Sequence, residues 1–566
     1  EKNTKIRLAV SISFLLFFGA PIAHADVLND QRVFTIDSQY DAKGRTQLNV
    51  TLRGLSKYVY FYVTDDHWNA LTEFGKQQLT NLIATIGNEF DQRIYPLEIA
   101  FFGSEPNPGI DNDSRLTLLL ASLKSGVGGY FDSSNNYAKR EIPTSNEREM
   151  IYLNVAQYSE SRRLFSFLAH EFQHLISFNQ KENTRNAVDD VWLNELRSEY
   201  AIAYVGYNTP FADSTLENRA LSYLQQPSDS LTEWKNLLPD YGQITLFGEY
   251  LAEHWSPRVL ADTLTSTATG ITSINDALAK NGFRDTFENV FQSWLTANIL
   301  NDTSKNIRYG YTNPNLANFR VAPTQLIDDI PSQGAVTISA SLKDWQGRWY
   351  DIQRLSADSN PYLRISVAGA VIPSLKIPYL VVANDGNYTF HVADFTKGIK
   401  EFQIEQIGSQ VTRVILMPYT GAKLSGFGSD ESSNNVSITL QRSSVPLAAV
   451  TPEYFGLHEG DFIRADGDND VYIINQAGYK RLVLSPKICL LYGHLGARGC
   501  FASVRLVMPE VRDAFKTSLY FSNGETNDGK IYRLIVTGED SAYLTPDSHV
   551  LDNSVFFINT REQNAY

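Results

Sequence analysis

His170-Glu171-Phe172-Gln173-His174 is the stretch of this sequence that says most about its fold. At 3.6 residues per turn, the two histidines project from one face of a helix, where their imidazoles can share a metal ion beside Glu171. An accidental match on a solvated helix is the alternative. Apolar neighbours predict instead a helix that is buried on most sides: Leu164, Phe165, Phe167, Leu168, Leu175, Ile176 and Phe178. His170 and His174 are therefore predicted zinc ligands, and Glu171 a predicted general base.

A catalytic zinc ion usually has three protein ligands and a water, so a further ligand is expected. The metzincin pattern would require glycine and histidine where this chain has Ser177 and Gln180. A second helix is predicted from Asp190, with Glu195 and Glu199 four residues apart on one face. We predict that Glu195 binds the metal and that Glu199 accepts the free ring N–H of a liganding histidine. A plain solvated helix rich in Glu and Arg is the alternative for this pair.

HEFQH, followed about twenty residues later by Trp192-Leu193-Asn194-Glu195 and a further carboxylate, resembles the gluzincin metallopeptidases. The closest likeness is to the secreted bacterial hyicolysin-type family, over roughly residues 58 to 300. The resemblance implies an α+β fold with a thermolysin-like catalytic domain. It also implies that Met150, Tyr152 and Asn154 lie in a strand at the edge of a sheet, where an extended peptide substrate binds.

Peptide hydrolysis also needs a donor that stabilises the oxyanion of the tetrahedral intermediate. Tyr241 and His254 are the candidates. Asp240-Tyr241-Gly242 begins a helical run and is similar to the tyrosine-glycine helix start of aminopeptidase-type gluzincins. This similarity favours Tyr241, although a tyrosine that only packs at a helix start would have the same sequence.

The N-terminus has the three parts of a secretory signal peptide: basic residues, an apolar run and a small-residue cleavage pattern. These are Lys2, Lys5 and Arg7, then Leu8 to Ala20, then Ala23-His24-Ala25. The apolar run is too short to span a membrane, and no transmembrane span is expected elsewhere. We therefore predict an exported, extracellular protein whose mature chain begins near Asp26.

The formal net charge of −14 argues against nucleic acid as a partner, because phosphate binding needs a basic surface. In an exported chain, Cys489 and Cys500 are predicted to form a disulfide, with a metal clip that includes His494 as the alternative. Two acidic clusters, 111–113 and 466–470, could bind calcium. Neither completes an EF-hand loop, so calcium stays unassigned.

Composition and periodicity divide the chain into five parts. They are a signal peptide (1–25), a β-rich leader (26–57), a zinc metallopeptidase domain (58–304), a β-sandwich domain (331–445) and a C-terminal β-rich domain (450–566). The fold class is therefore α+β and multidomain, with β-sandwich-type domains after the catalytic domain.

Two functions are compatible with this organisation. The first is a secreted zinc metalloendopeptidase that acts on proteins or peptides and attaches to the cell envelope through its C-terminal domains. The second is an adhesin-like, surface-binding protein with an inactive peptidase-like domain. Retention of Glu171 together with three candidate ligands favours the enzyme.

Overall fold

The described part of the chain divides into two units. The structure, a computed structural model, describes residues 25–154, 161–368, 374–397, 399–445, 447, 450–526, 529–538, 541–547 and 552–566. The first unit contains the described residues up to Leu326, together with Ser341–Asp351 and Ile415–Asn435. The second contains Ile327–Ala340, Ile352–Val414 and Val436–Tyr566. The predicted signal peptide lies outside the described residues, except for Ala25.

A mixed sheet forms the centre of the first unit. Its strands are β1 (Gln31–Thr35), β2 (Gln47–Leu55), β3 (Val59–Thr64), β4 (Leu116–Ala121), β5 (Gly129–Phe131) and β6 (Met150–Asn154). Their order is β1-β2-β3-β4-β6-β5. β3, β4 and β6 are parallel, whereas β1, β2 and β5 are each antiparallel to the strand beside them. Phe61 and Tyr62 of β3 enter hydrophobic clusters on opposite faces, so both faces of the sheet are covered.

β6 is an inner strand of this sheet. Asn154 lies opposite Ala121 of β4, and Tyr152 lies opposite Tyr130 of β5. The side chains of Met150, Tyr152 and Asn154 are buried. The prediction that these three residues lie at a sheet edge is therefore wrong, because the sheet continues by one short strand. The outer strand on this side is β5, whose three residues are too few to produce a periodic sequence signal.

Helices cover the sheet and extend the first unit. They are α1 (Asp65–Ala70), α2 (Glu73–Glu89), α3 (Tyr95–Phe102), α4 (Ser161–Ser177), α5 (Val191–Val205), α6 (Thr215–Gln225), α7 (Leu238–His254), α8 (Pro257–Thr263), α9 (Gly270–Lys280) and α10 (Phe287–Leu300). Helices and several sheets in more than one unit confirm the mixed, multidomain fold class at that level.

The apolar face of α4 fixes the direction in which the HExxH motif points. Leu168, Phe172 and Ile176 belong to the same buried cluster as Phe61 of β3. The ring of Phe172 lies 4.9 Å from that of Phe90, centroid to centroid. Truncating a buried phenylalanine to alanine typically costs about 3–5 kcal/mol. This packing holds one side of α4 in the core and leaves the histidine side facing a cleft.

Two segments from beyond residue 326 complete the first unit. Asp190 occupies the N-cap position of α5, but its carboxylate makes no capping hydrogen bond. Its Oδ1 instead accepts the backbone N–H groups of Gly426 and Phe427, at 2.6 and 2.9 Å. The backbone N–H of Trp234 donates to the carbonyl of Gly428 at 2.9 Å. Ile415–Asn435 therefore supports both α5 and the chain before α7, although it lies inside the range 331–445.

The strands after residue 324 belong mainly to the second unit, although the ends of some fall in ranges grouped with the first unit. They are β7 (Gln325–Asp328), β8 (Ala335–Leu342), β9 (Tyr350–Gln353), β10 (Tyr362–Ala368), β11 (Lys376–Ala383), β12 (Tyr388–Asp394), β13 (Glu401–Ile404), β14 (Val411–Leu416), β15 (Asn434–Ser443), β16 (Phe462–Ala465), β17 (Val471–Ile474), β18 (Tyr479–Leu482), β19 (Arg505–Val507), β20 (Lys516–Thr517), β21 (Tyr520–Asn523), β22 (Ile531–Val536), β23 (Ala542–Pro546) and β24 (Phe556–Ile558). Short helices α11 (Pro486–Leu490), α12 (Pro509–Ala514) and α13 (Thr560–Gln563) lie among the later strands.

These strands form four sheets within the described residues. Their orders are β13-β10-β15-β8, β12-β11-β14-β9-β7, β19-β16-β17-β18-β20 and β23-β22-β21-β24. Cys489 and Cys500 are joined by a disulfide. Arg481 and Glu562 form an ion pair in which both side chains are 1% exposed. Among the described residues, no helix combines the length and apolar character needed to cross a bilayer.

Candidate metal centre

His170 and His174 of α4 and Glu195 of α5 bring three ligand atoms together. The Nε2 atoms of the two histidines lie 3.2 Å apart. Glu195 Oε2 lies 3.2 Å from His170 Nε2, and Glu195 Oε1 lies 3.6 Å from His174 Nε2. Ligand atoms around a tetrahedral metal, each about 2.0–2.2 Å from it, would lie about 3.4 Å apart. The spacing therefore fits one shared metal ion.

An orphaned atom supports the same interpretation. Glu195 Oε2 is buried and has no partner in hydrogen-bond geometry, despite its closeness to His170. A buried carboxylate oxygen without a donor or a cation is costly. Among the described residues, His170, His174 and Glu195 are the one group of three or more His, Cys, Asp or Glu side chains arranged to hold a metal.

Each histidine has a partner on its second ring nitrogen. Glu199 Oε1 lies 3.5 Å from His170 Nδ1, and Ser198 Oγ lies 3.1 Å from His174 Nδ1. Ser198 also donates to Gln173 Oε1 at 2.6 Å. Such partners fix the tautomer and orientation of a ligating imidazole. The sequence analysis named Glu199 but missed Ser198, which could have been found as the polar residue three positions after Glu195 on the same face.

The charge of Glu199 is itself compensated. Arg219 of α6 donates to both of its carboxylate oxygens, at 2.8 and 3.0 Å, and Thr245 of α7 donates to Oε2 at 3.1 Å. Burial would raise the pKa of Glu199, but Arg219 holds it below its usual value. Glu199 therefore stays ionised and can accept a hydrogen bond from the Nδ1–H group of His170.

The centre concentrates negative charge around the two imidazoles. Burial lowers the pKa of His170, but Glu195, Glu171 and Glu199 outweigh this effect and raise it to about 9. Burial also raises the pKa of Glu195, yet the His174 and His170 rings bring it well below its usual value. Both shifts reflect the mutual attraction of imidazole and carboxylate groups packed together, and a divalent ion bound between them would replace the protons on the imidazoles.

Glu171 lies beside the outer strand β5. It is buried, and this burial raises the pKa of its carboxyl group, against the lowering effects of the two imidazoles and of the Phe131 backbone N–H. Glycines at the start of β5 allow the close approach of this strand to α4 and β6. A Cβ atom on Gly128 would lie 2.4 Å from the Phe167 ring, and one on Gly129 would lie 2.7 Å from the Tyr152 carbonyl oxygen.

Tyr241 and His254 lie in different surroundings. Tyr241 lines the same cleft of about 2020 Å³ as His170, Glu171 and Glu195. Its hydroxyl donates to Asn236 Oδ1 at 3.0 Å, and the Arg219 guanidinium lies 4.2 Å from its ring centroid. His254 Nε2 lies 2.8 Å from the Gly310 carbonyl oxygen, and His254 is not among the described residues that line the cleft.

Carboxylates of the two acidic clusters considered for calcium form hydrogen bonds or ion pairs with other residues of the chain. Asp113 Oδ2 accepts the hydroxyl of Tyr60 at 2.8 Å, and its Oδ1 accepts the backbone N–H of Arg115 at 3.0 Å. In the second cluster, Asp468 forms an ion pair with Arg512. These partners explain the two clusters as turns without a metal ion.

Comparison with known proteins gives one informative match. The chain is 29% identical over 252 residues to the neutral metalloprotease ShpI of Staphylococcus hyicus, covering 40% of this chain and 52% of that protein. The chain thus spans about half the length of this curated relative. No known family profile matches it.

Solved structures add no argument. A Yersinia pseudotuberculosis-derived mitogen is 10% identical with a TM-score of 0.14, covering 19% of this chain and 85% of the mitogen. The periplasmic lysozyme inhibitor PliG of Aeromonas hydrophila is 11% identical with a TM-score of 0.15, covering 21% of this chain and 100% of the inhibitor. The sequence match and the geometry of the centre together support a relation to metalloproteases, without assigning a specific member.

Proposed function

We propose that this protein is an exported zinc-dependent metallopeptidase. The observation that carries the proposal is the convergence of His170, His174 and Glu195, with ligand atoms 3.2 to 3.6 Å apart, beside the carboxylate of Glu171. Two imidazoles and one carboxylate form a donor set typical of catalytic zinc. When bound, zinc supplies Lewis acidity that polarises a carbonyl group and lowers the pKa of water.

The residues of the chain have distinct roles in the proposed reaction. Glu171 accepts the proton of the attacking water and passes it to the nitrogen of the leaving amine as the peptide bond breaks. The hydroxyl of Tyr241 donates a hydrogen bond to the carbonyl oxygen as it becomes negative. Burial raises the pKa of Tyr241, so its hydroxyl keeps the proton that this role needs.

The outer strand β5 is the proposed binding surface for the substrate backbone. The backbone N–H of Asn154 donates to the carbonyl of Gly128, so the alternating ladder directs the backbone groups of Gly129 and Phe131 away from β6. An extended peptide can pair with these groups as an added strand. Gly129 and Phe131 thus replace Met150, Tyr152 and Asn154 in this role.

The proposal also covers the fold of the domains, export of the protein and its attachment to the cell envelope. The sheet with α4 and α5 supports a thermolysin-like catalytic domain, and the later sheets support β-sandwich-type domains. Export rests on the N-terminal sequence pattern. Attachment to the cell envelope through the C-terminal domains would bring the enzyme close to large substrates.

Cleavage of a mixture of unstructured peptides by the zinc-loaded full chain tests the proposal. We expect Glu171→Gln to keep its fold and zinc while its hydrolysis falls on the order of 10²- to 10⁴-fold. Glu73→Gln, which changes the same charge at a side chain that is 91% exposed, serves as the matched control. A folded, zinc-loaded full chain that cleaves no peptide would favour the surface-binding alternative, and full activity of Glu171→Gln would contradict the mechanism.

A further inference from the structure

A second pocket of the first unit has more polar than apolar side chains in its lining. Its volume is about 430 Å³. It lies between the turn that follows α3, the residues after β5, the residue before β6 and the segment that follows α4. Its polar lining consists of Ser104, Glu105, Asn107, Asn136, Glu149, Asn179 and Asn183. No lysine, arginine or histidine is among the described residues that line it.

Two side-chain oxygens in this pocket lack a donor. Glu105 is 4% exposed, and its Oε1 accepts the Tyr95 hydroxyl at 2.8 Å and the Asn107 amide at 3.1 Å. Its Oε2 is buried and has no hydrogen-bond partner. Asn136 Oδ1 is also buried without a partner. Buried polar atoms are nearly always satisfied by the protein, by water or by an ion, so these two oxygens are available to a ligand from outside the chain.

Glu149 adds a second carboxylate. It is 3% exposed, and its Oε1 accepts the backbone N–H of Ile110 at 3.0 Å. Burial, with a smaller contribution from Asp111, raises its pKa to about 7 against the opposing effects of Ile110 and Arg148. Two buried carboxylates that share a pocket without a basic side chain attract a cation.

We propose that this pocket binds a calcium ion. Calcium takes six to eight oxygen ligands from carboxylates, amide carbonyls and waters, in flexible geometry. Glu105 and Glu149 supply the charge, and Asn136 supplies a neutral oxygen. Zinc would prefer nitrogen or sulfur donors, which the lining lacks, and magnesium would demand a stricter octahedron.

Calcium in this pocket joins parts of the chain that surround the proposed zinc centre. Asn179 and Asn183 belong to the segment Phe178–Asn183 directly after α4, and Glu149 directly precedes β6. Asn179 already donates to the Ser104 carbonyl at 2.8 Å. The ion therefore ties the loop before β4, which carries Glu105, to the residues after β5 and before β6, which carry Asn136 and Glu149. It stabilises the first unit beside the end of the HExxH helix.

Titration of the zinc-loaded, calcium-free full chain with CaCl₂ tests the proposal, followed by calorimetry and by thermal unfolding. We expect one calcium ion to bind with a Kd on the order of 10⁻⁴ M. At saturation, the unfolding midpoint should rise by about 4 °C. The variants are Glu105→Gln and Glu149→Gln, whose remaining oxygen can still accept the hydrogen bonds described above. Each should weaken calcium binding at least about 10-fold, because each removes a charged ligand.

Asp466→Asn is the matched control, because it removes one carboxylate from the acidic cluster 466–470, which lies outside the pocket, and should bind calcium as the unsubstituted protein does. Two glutamate variants are used so that one suffices if the other fails to fold. The proposal is overturned if the unsubstituted protein shows neither binding heat nor a shift of the midpoint. Unchanged affinity in a folded glutamate variant, or loss of binding in Asp466→Asn alone, would also overturn it.

Discussion

The proposed zinc centre and the proposed calcium pocket differ in how their polar atoms are supported. At the zinc centre, Glu199 and Ser198 hold the second nitrogens of the two histidines, and Arg219 balances Glu199. Both sites contain side-chain oxygens without a partner, Glu195 Oε2 in the zinc centre and Glu105 Oε2 and Asn136 Oδ1 in the calcium pocket. The helical repeat of α4 and α5 provides the first site with its own supporting hydrogen bonds. Loops supply the second, whose stability therefore depends on the ion itself.

The largest expected effect comes from substitutions at the zinc centre, either of a ligand or of a residue that holds a ligand in place. Glu195→Gln should abolish tight zinc binding, because it removes a ligand. Glu199→Gln should weaken zinc affinity by on the order of 10- to 100-fold, because it removes only the partner of His170. Ser198→Ala should have a smaller effect, since a neutral hydroxyl is lost. Competition with a chromogenic chelator measures all three, and equal losses from Glu195→Gln and Glu199→Gln would refute these roles.

The next effect concerns catalysis within the same cleft. Tyr241→Phe should lower kcat by on the order of 10², with a smaller change in KM, because it removes one oxyanion donor. His254→Ala is the matched control, because His254 contacts the Gly310 carbonyl outside the cleft. Steady-state kinetics on a short peptide measures both variants. A drop in kcat for His254→Ala, without one for Tyr241→Phe, would reverse the assignment.

The smallest expected effect is a loss of stability where Ile415–Asn435 contacts α5. Asp190→Ala should lower the free energy of unfolding by about 1–3 kcal/mol, because two backbone N–H groups lose their buried acceptor. Urea denaturation measures this change, with Asp466→Asn as a surface control. An unchanged midpoint would mean that Ile415–Asn435 does not support α5. For the same reason, a chain that ends near Ser304 should be less stable than the full chain.

The residues of the zinc centre could be predicted from the sequence because residues four positions apart in a helix lie on the same face. His170 and His174 are four residues apart, as are Glu195 and Glu199, so each pair shares a face before any tertiary contact is known. The orientation of Ser198 towards His174 follows from the packing of α5 on α4, which spacing alone does not specify. The need of a catalytic zinc ion for a third protein ligand added the prediction that the two helices meet.

Other features depend on contacts between distant parts of the chain. The outer position of β5 follows from strand pairing, and three residues cannot reveal it. The oxygens of the calcium pocket come from four separated stretches, none of which carries a motif. Ser341–Asp351 and Ile415–Asn435 connect strands of the β-rich part, yet their contacts group them with the first unit. Composition predicts that the catalytic domain ends near residue 304. The first unit instead includes these two later segments, which composition does not reveal.

Elemental analysis for zinc after exhaustive dialysis tests the central claim most directly. It should be made on the folded full chain alongside Glu171→Gln and Glu195→Gln. We predict about one zinc per chain in the unsubstituted protein and in Glu171→Gln, and essentially none in Glu195→Gln, because the first substitution spares the ligands and the second removes one. A folded, unsubstituted protein without tightly bound zinc would contradict the account.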